Sequence, residues 1–144
     1  MIAEKIILMV EDNPNDVALT LRAFKKSHIQ NEVVVVHDGA EALDYLFARG
    51  SYAGRDPAIL PAVILLDLNL PKLGGIEVLQ QIRANEQTKL LPVVILTSSN
   101  EDKDRLEGYI SGCNSYVQKP VDFIHFAEAI RQLGLYWLIL NKPP

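Results

Sequence analysis

The stretch Ala62 to Gly75, AVILLDLNLPKLGG, places an apolar run directly before a carboxylate. The run from Val63 to Leu66 is short and has no polar alternation, which is typical of a strand buried on both faces in a parallel sheet. Asp67 therefore stands at the carboxyl end of that strand. In open α/β sheets this end faces the ligand-binding crevice, because the crossover helices cover both faces of the sheet. A lone aspartate there more often just caps the next helix, so the ends of the other strands decide its role.

The rest of the chain alternates short apolar runs with amphipathic stretches. Runs at 6–10, 33–36, 93–96 and 115–118 predict four more strands. Helical patterns separate and follow them, and in the first helix Val17, Leu21 and Phe24 form the predicted buried stripe. Five strands alternating with five helices predict an α/β fold with a doubly wound parallel sheet in the order 2-1-3-4-5.

Length, charge and cysteine content limit the classes of function. A chain of 144 residues with 49% hydrophobic residues buries one core, so we expect one domain over residues 1–144. The formal charge of −4 argues against a nucleic-acid partner, which would require clustered Lys and Arg. The first apolar run is too short for a signal peptide or a membrane span. Cys113 is the single cysteine, which favours a reducing, cytoplasmic location.

Polar side chains end four of the predicted strands. Glu11 and Asp12 end the first, Asp67 ends the third, Thr97 ends the fourth and Lys119 ends the fifth. Right-handed crossovers bring these ends to one edge of the sheet. Three carboxylates in one pocket repel each other unless a cation lies among them. Oxygen ligands without His or Cys select a hard ion, and a site open to water favours Mg²⁺.

An anion that contacts Lys119 and the Thr97 hydroxyl would complete this site, and a phosphoryl group fits that role. Asp67 is the only carboxylate on the third strand and is the predicted nucleophile. It is ionised at neutral pH, because the ordinary pKa of an aspartate is about 4, so no general base is needed. Phosphoryl transfer requires mainly positioning and charge neutralisation, which the metal and Lys119 would supply.

Taken together, these residues resemble the receiver domains of two-component response regulators over essentially the whole chain. The motifs that carry the resemblance are VEDNPND at 10–16, LLDLNLPKLGG at 65–75, ILTSS at 95–99 and YVQKP at 116–120. The resemblance implies the flavodoxin-like receiver fold and a phosphoryl group accepted by Asp67 from a histidine kinase. It also implies that the protein is not an enzyme acting on other molecules, and that it catalyses only its own phosphorylation and dephosphorylation.

The resemblance also assigns roles to single residues. Asp12, Asp67 and the main-chain carbonyl of Asn69 would bind Mg²⁺ with assistance from Glu11, and Thr97 and Lys119 would hold the phosphoryl oxygens. Tyr116 matches the aromatic residue that moves inward when the threonine turns toward phosphate, although its spacing alone is that of an ordinary strand residue. The peptide bond between Lys119 and Pro120 is expected to be cis.

Within the family, VEDNPNDVALTLRAFK, DGAEALDYLF and the long connection at 49–61 resemble the small single-domain regulators that partner bacterial phytochrome kinases. The connection is either a partner-contacting loop or a tolerated insertion, and we favour the insertion. No DNA-binding output domain follows in this sequence, so we expect the output to run through protein contacts.

Two other classes share parts of this pattern. Phosphatases of the haloacid dehalogenase type also use a strand-end aspartate, Mg²⁺, a Thr or Ser and a Lys, but they place a second carboxylate two residues after the nucleophile, where this chain has Asn69. A flavodoxin-like cofactor binder needs amides and hydroxyls after the first strand to hold phosphate, whereas EDNPND is acidic and would repel it.

The C-terminal run Leu135 to Leu140, LYWLIL, is apolar at six consecutive positions. A helix packed on a sheet buries only one stripe, so some of these side chains must point outward. We therefore expect a homodimer interface or a kinase-docking face built from Tyr136, Trp137 and Ile139, since aromatic residues are enriched in interface cores. The alternative is that the helix frays after Gly134 and the tail folds back over the core.

Overall fold

The computed structural model describes residues 5–120 and 122–144, and its centre is a five-stranded parallel sheet. The strand order β2-β1-β3-β4-β5 confirms the predicted doubly wound topology. The strands are β1 (Ile7–Val10), β2 (Val33–Val36), β3 (Val63–Leu66), β4 (Val93–Thr97) and β5 (Ser115–Gln118). β1 and β3 pair directly, so the strand ends at Val10 and Leu66 lie side by side.

Within the described part of the chain, five α-helices cover the two faces of the sheet. They are α1 (Pro14–Lys26), α2 (Gly39–Phe47), α3 (Gly75–Ala84), α4 (Asp102–Ile110) and α5 (Phe123–Gly134). Buried side chains of α2 and α3 pack with one face of the sheet, and buried side chains of α1 and α5 pack with the other. Gly108 of α4 lies against Ile95 and Tyr116, which places α4 on the same face as α2 and α3.

Helix α1 begins at Pro14, after a short loop that follows the end of β1 at Val10. Its N-cap is Asn13, whose side-chain oxygen accepts hydrogen bonds from the main-chain N–H groups of Asn15 (2.9 Å) and Asp16 (3.3 Å). The predicted buried stripe was wrong at Leu21, which is exposed, because the core-facing stripe is formed by Thr20, Ala23 and Phe24. Thr20 tolerates full burial because its hydroxyl donates to the carbonyl oxygen of Asp16 at 2.8 Å.

The long connection at 49–61 packs against α2. It contains a 3₁₀ turn, Gly50–Tyr52, and the Tyr52 hydroxyl donates a hydrogen bond to Glu41 at 2.7 Å. The guanidinium of Arg55 lies 3.9 Å from the centre of the Tyr45 ring. These contacts make the connection an extension of the α2 surface.

The C-terminal run continues α5 as a wider, π-helical turn, Leu135–Leu140. Leu138 is buried, Trp137 is half-buried against the core, and Tyr136 and Ile139 are exposed. The ammonium of Lys5 donates to the carbonyl oxygen of Leu138 at 2.6 Å and ties this turn to the start of β1. The run thus stays helical past Gly134 and leaves apolar side chains facing outward. Among the described residues, no helix is both long enough and apolar enough to cross a membrane.

Candidate functional site

The site lies at the carboxyl edge of the sheet, where the main-chain ladder continues one residue past three strands. The N–H of Glu11 donates to the carbonyl oxygen of Val36 at 3.0 Å, and the N–H of Asp67 donates to that of Val10 at 3.1 Å. The N–H of Lys119 donates to the carbonyl oxygen of Thr97 at 2.7 Å. These bonds fix the directions of the functional side chains, because each side chain belongs to a residue that is still held by the sheet.

Three carboxylates meet at the junction of β1 and β3, and we call them the acidic cluster: Glu11, Asp12 and Asp67. Each offers one oxygen, and these oxygens all lie within 4.8 Å of one another. Glu11 and Asp67 are 2% and 7% exposed, whereas Asp12 lies at the solvent side. The donors are all carboxylate oxygens, so the cluster fits a hard divalent cation such as Mg²⁺. This convergence was predicted from the polar residues at the strand ends.

Asn69, predicted to bind the metal through its carbonyl, lies two residues after Asp67 in the turn that follows β3. Its side chain is exposed, and its main-chain N–H donates to Asp67 Oδ1 at 3.3 Å. This bond holds the turn against the Asp67 carboxylate, so Asn69 lies beside the acidic cluster.

The ammonium of Lys119 lies among three carboxylates. Its Nζ atom forms a short ion pair with Glu11, lies 2.8 Å from Asp16 Oδ2 and lies 3.5 Å from Asp67 Oδ2. The Lys119 side chain is only 8% exposed, so these contacts replace most of its water. The position of Lys119 at this edge was predicted from the sequence, but that of Asp16, which reaches the site from the first turn of α1, was not.

Burial and charge shift the titration of two groups at this edge. Burial and the neighbouring Asp67 together raise the pKa of Glu11 to about 7, although the contact with Lys119 opposes the rise. Burial alone would lower the pKa of Lys119, but its hydrogen bonds to Asp16 and Glu11 outweigh that effect and hold the pKa above its usual range. Lys119 therefore stays charged at neutral pH, and Glu11 takes up a proton near neutrality.

Thr97 and Tyr116, the predicted switch residues, are linked through Ser99. Thr97 is fully buried at the end of β4, and its hydroxyl oxygen accepts the main-chain N–H of Ser99 at 3.4 Å. The Tyr116 hydroxyl donates to the carbonyl oxygen of Ser99 at 3.3 Å, and burial raises the pKa of that hydroxyl. The Ser99 hydroxyl in turn donates to Asp104 of α4 at 2.5 Å. One loop residue therefore joins the site, the aromatic side chain and a helix.

The prediction of a cis bond at the end of β5 was wrong. No peptide bond within residues 5–120 and 122–144 is cis, so the bond between Lys119 and Pro120 is trans. The trans form is the intrinsically favoured one even before proline, by about 0.5–1 kcal/mol.

The fold and the site define a class of protein that the family comparison confirms. The profile of the response regulator receiver domain matches residues 7–131. The chain therefore belongs to the response regulator receiver domain family of two-component signalling.

Two relatives match over almost the whole chain. FilR2 of Methanothrix harundinacea, a probable methanogenesis regulatory protein, is 40% identical over 139 residues, which cover 96% of this chain and 87% of the relative. The response regulator Rcp1 of Synechocystis sp. is 36% identical over 134 residues, covering 93% of this chain and 89% of Rcp1. A crystal structure of the Mn²⁺-bound form of Rcp1 superposes with a TM-score of 0.88 and covers 97% of this chain and 99% of that one.

Solved structures of phytochrome-associated regulators are similarly close. The phosphorylated cyanobacterial phytochrome response regulator RcpA superposes with a TM-score of 0.91 at 37% identity, covering 99% of both chains. The bacteriophytochrome response regulator RtBRR is 52% identical and has a TM-score of 0.79, covering 99% of this chain and 85% of that one. The chain is thus similar to single-domain regulators associated with phytochromes.

Proposed function

We propose that this protein is a phosphoacceptor response regulator that receives a phosphoryl group from a histidine kinase on Asp67. The observation that carries the proposal is the surroundings of Asp67, a nearly buried carboxylate with the ammonium of Lys119 3.5 Å away and the acidic cluster beside it. A cationic side chain and a metal-binding set of oxygens around one nucleophile are what phosphoryl transfer requires.

The chemistry is a single displacement at phosphorus. A carboxylate oxygen of Asp67 attacks the phosphorus of a phosphohistidine, an O–P bond forms, the N–P bond breaks, and its electron pair stays on the imidazole nitrogen. The Lys119 ammonium and the Thr97 hydroxyl donate hydrogen bonds to the phosphoryl oxygens and stabilise their negative charge. Hydrolysis reverses the modification when water attacks the phosphorus, which releases inorganic phosphate and restores the Asp67 carboxylate. The protein thereby catalyses only its own phosphorylation and dephosphorylation.

Asp12, Asp67 and the main-chain carbonyl of Asn69 would hold Mg²⁺, with Glu11 assisting. When bound, the ion neutralises charge on the carboxylates and on the phosphoryl oxygens. The oxygen-only donor set supports this assignment, as does the Mn²⁺-bound form of Rcp1.

We further propose that Thr97 and Tyr116 form the switch. The Thr97 hydroxyl oxygen now accepts the N–H of Ser99, and a turn toward a phosphoryl oxygen would release that contact. The carbonyl oxygen of the same Ser99 holds the Tyr116 hydroxyl, so a shift of Ser99 changes the position of Tyr116. The signal then passes to other proteins through the surface around Tyr116.

A phytochrome-type histidine kinase is the partner that we propose. The support is the likeness to RcpA and RtBRR, both described as phytochrome response regulators, whereas FilR2 is described as a probable methanogenesis regulatory protein. We also propose a homodimer through Tyr136, Trp137 and Ile139, because the C-terminal turn leaves apolar side chains exposed.

The buried, unpaired Cys113 agrees with a reducing, cytoplasmic setting.

A phosphatase of the haloacid dehalogenase type is the alternative, and Asn69 argues against it. That chemistry needs an acid and base two residues after the nucleophile, and an amide cannot supply or remove the proton. Repeated hydrolysis of a phosphate monoester by each molecule of the protein would support the phosphatase alternative over the response regulator.

The deciding experiment is intact mass spectrometry after incubation with acetyl phosphate. Wild type should gain one phosphoryl group with Mg²⁺ and little without it, and Asp67→Asn should gain none, because the isosteric amide is not nucleophilic. The matched control is Asp44→Asn, a more exposed carboxylate on α2, which should behave as wild type. Phosphorylation of Asp67→Asn to the wild-type extent would overturn the proposal.

A further inference from the structure

Asp16 is the only one of the three carboxylates around Lys119 that lies outside the acidic cluster. Glu11 and Asp67 are both within reach of a shared metal ion, whereas Asp16 belongs to the first turn of α1. The contact between Lys119 and Asp16 therefore has no role in the proposed metal set, and its 2.8 Å length requires another explanation.

An ammonium group has three N–H donors. In Lys119 two of them make short contacts and one makes a longer contact. The contacts with Glu11 and Asp16 are short, and the contact with Asp67 Oδ2 is the longest at 3.5 Å. Two N–H groups thus fix the position of the nitrogen, and the third is directed at the carboxylate that receives the phosphoryl group. A group transferred to Asp67 can take this third N–H without breaking either short contact.

The backbone of Asp16 is held on both sides. Its N–H donates to the side chain of Asn13 at 3.3 Å, and its carbonyl oxygen accepts the Thr20 hydroxyl at 2.8 Å. Asn13 caps the helix and Thr20 is fully buried, so the first turn of α1 is rigidly placed relative to the sheet. A carboxylate on such a turn can locate a long, flexible lysine side chain.

We propose that Asp16 is a positioning residue that anchors Lys119 independently of the metal and aims its third N–H at Asp67. This inference rests on the proposed phosphoacceptor function. Glu11 would share its oxygens with a cation held by the acidic cluster, whereas Asp16 lies outside that cluster and would remain free to anchor Lys119. The sequence VEDNPND then supplies both metal ligands and the lysine anchor from one loop and helix start.

The test measures the initial rate of phosphorylation by acetyl phosphate at a Mg²⁺ concentration that saturates each variant. Asp16→Ala should be slower by about tenfold, because a misplaced charge at a phosphoryl site is costly. Asp16→Asn keeps an oxygen that can accept a hydrogen bond from the Lys119 ammonium, so its rate should be close to that of wild type. Glu77→Ala, which removes an exposed carboxylate from the first turn of α3, is the matched control and should leave the rate unchanged.

A double-mutant cycle identifies the path of the effect. If Asp16 acts through Lys119, Asp16→Ala should have no further effect on the rate in a Lys119→Met background. An equal loss in both backgrounds, or a wild-type rate for Asp16→Ala, would overturn the inference. Wild-type rates for both Asp67→Asn and Lys119→Met would instead overturn the proposed function.

Nitrogen-15 NMR of the lysine ammonium groups gives a readout without phosphorylation. In wild type the held ammonium of Lys119 should exchange its protons slowly and give a resolved signal, assigned by its loss in Lys119→Met. The signal should broaden in Asp16→Ala and persist in Asp16→Asn. An unchanged signal in Asp16→Ala would show that Asp16 does not hold the lysine and would also overturn the inference.

Discussion

Gly75 lies directly against the main-chain oxygen of Asp67. A Cβ atom added at Gly75 would overlap that oxygen and would come within 2.7 Å of the Cα atom of Leu68. The N–H of Gly75 also donates to the carbonyl oxygen of Leu68 at 3.1 Å. The start of α3 is therefore packed onto the residue that we propose as phosphoacceptor, and only glycine fits at this position.

Gly75→Ala should lower the free energy of unfolding by about 1–3 kcal/mol, because the added methyl group meets backbone that cannot move aside. The neighbouring Gly74→Ala is the matched control, since the nearest atom to its added Cβ is the end of the flexible Glu77 side chain at 4.0 Å. Urea denaturation measures both variants. Equal stabilities for the two variants would contradict the close packing at Gly75.

Asp12→Ala should weaken Mg²⁺ binding by about tenfold or more, because a carboxylate in the acidic cluster is replaced by a group that cannot neutralise the ion. Calorimetric titration of the full chain measures the affinity. Asp102→Ala removes an exposed carboxylate from the first turn of α4 and should bind as wild type. Equal affinities for wild type and Asp12→Ala would refute the metal assignment.

Without divalent ions, Glu11 should make the protein less stable as the pH rises toward neutrality. The pKa of Glu11 is about 7 in the folded protein against an ordinary 4.5, so the folded state binds more protons between these values. The contribution is fully present below about pH 4.5 and is lost as the pH rises through about 7.

Urea denaturation in EDTA at about pH 5.5 and about pH 8 tests this dependence. Glu11→Gln should reduce the difference in unfolding free energy between the two pH values, whereas Glu77→Gln, at an exposed position, should keep it. An identical pH dependence for wild type and Glu11→Gln would contradict the raised pKa.

Ile139→Glu should convert the proposed homodimer to monomer. Ile139 is 70% exposed on the C-terminal turn, and burial of each large apolar side chain contributes about 1.5–3 kcal/mol to association. A point substitution is a cleaner test than truncation after Gly134, because truncation would also remove the buried Leu138. The control is Ile59→Glu, at a position 55% exposed in the connection at 49–61.

Light scattering with and without beryllofluoride, which mimics the phosphoryl group, reports the mass of each variant. The wild-type chain should be dimeric in at least one of the two states. A monomeric wild type in both states would remove the dimer proposal, and loss of the dimer in Ile59→Glu would place the interface elsewhere.

The sequence predicted the strands, their order and the gathering of their polar ends, because these follow from local patterns. A run such as Val63 to Leu66 can be buried on both faces only in a covered parallel sheet, and the topology then brings Asp67 beside the residues that end β1. The acidic cluster was predictable for this reason, since Glu11 and Asp67 directly follow a strand and Asp12 comes next after Glu11.

Asp16 was not predictable in the same way, because it belongs to a helix. Which carboxylate of a helix reaches the lysine that follows β5 depends on how α1 lies over the sheet, and no spacing in the sequence encodes that angle. The predicted burial of Leu21 was wrong for a related reason. The hydroxyl of Thr20 forms its hydrogen bond within its own helix, so Thr20 can face the core in place of Leu21.

The site draws its groups from the ends of β1, β3, β4 and β5. One helix separates β3 from β4 and another separates β4 from β5, while α1, β2 and α2 all lie between β1 and β3 along the chain. The site lacks its lysine until the segment that follows β5 is in place. The carboxylates that follow β1 lie beside Asp67 only after β1 has paired with β3. Contacts between segments so distant along the chain carry a large loop-closure cost and form slowly. The capacity to accept a phosphoryl group should therefore appear late in folding. Its recovery during refolding from denaturant measures when β5 joins the sheet.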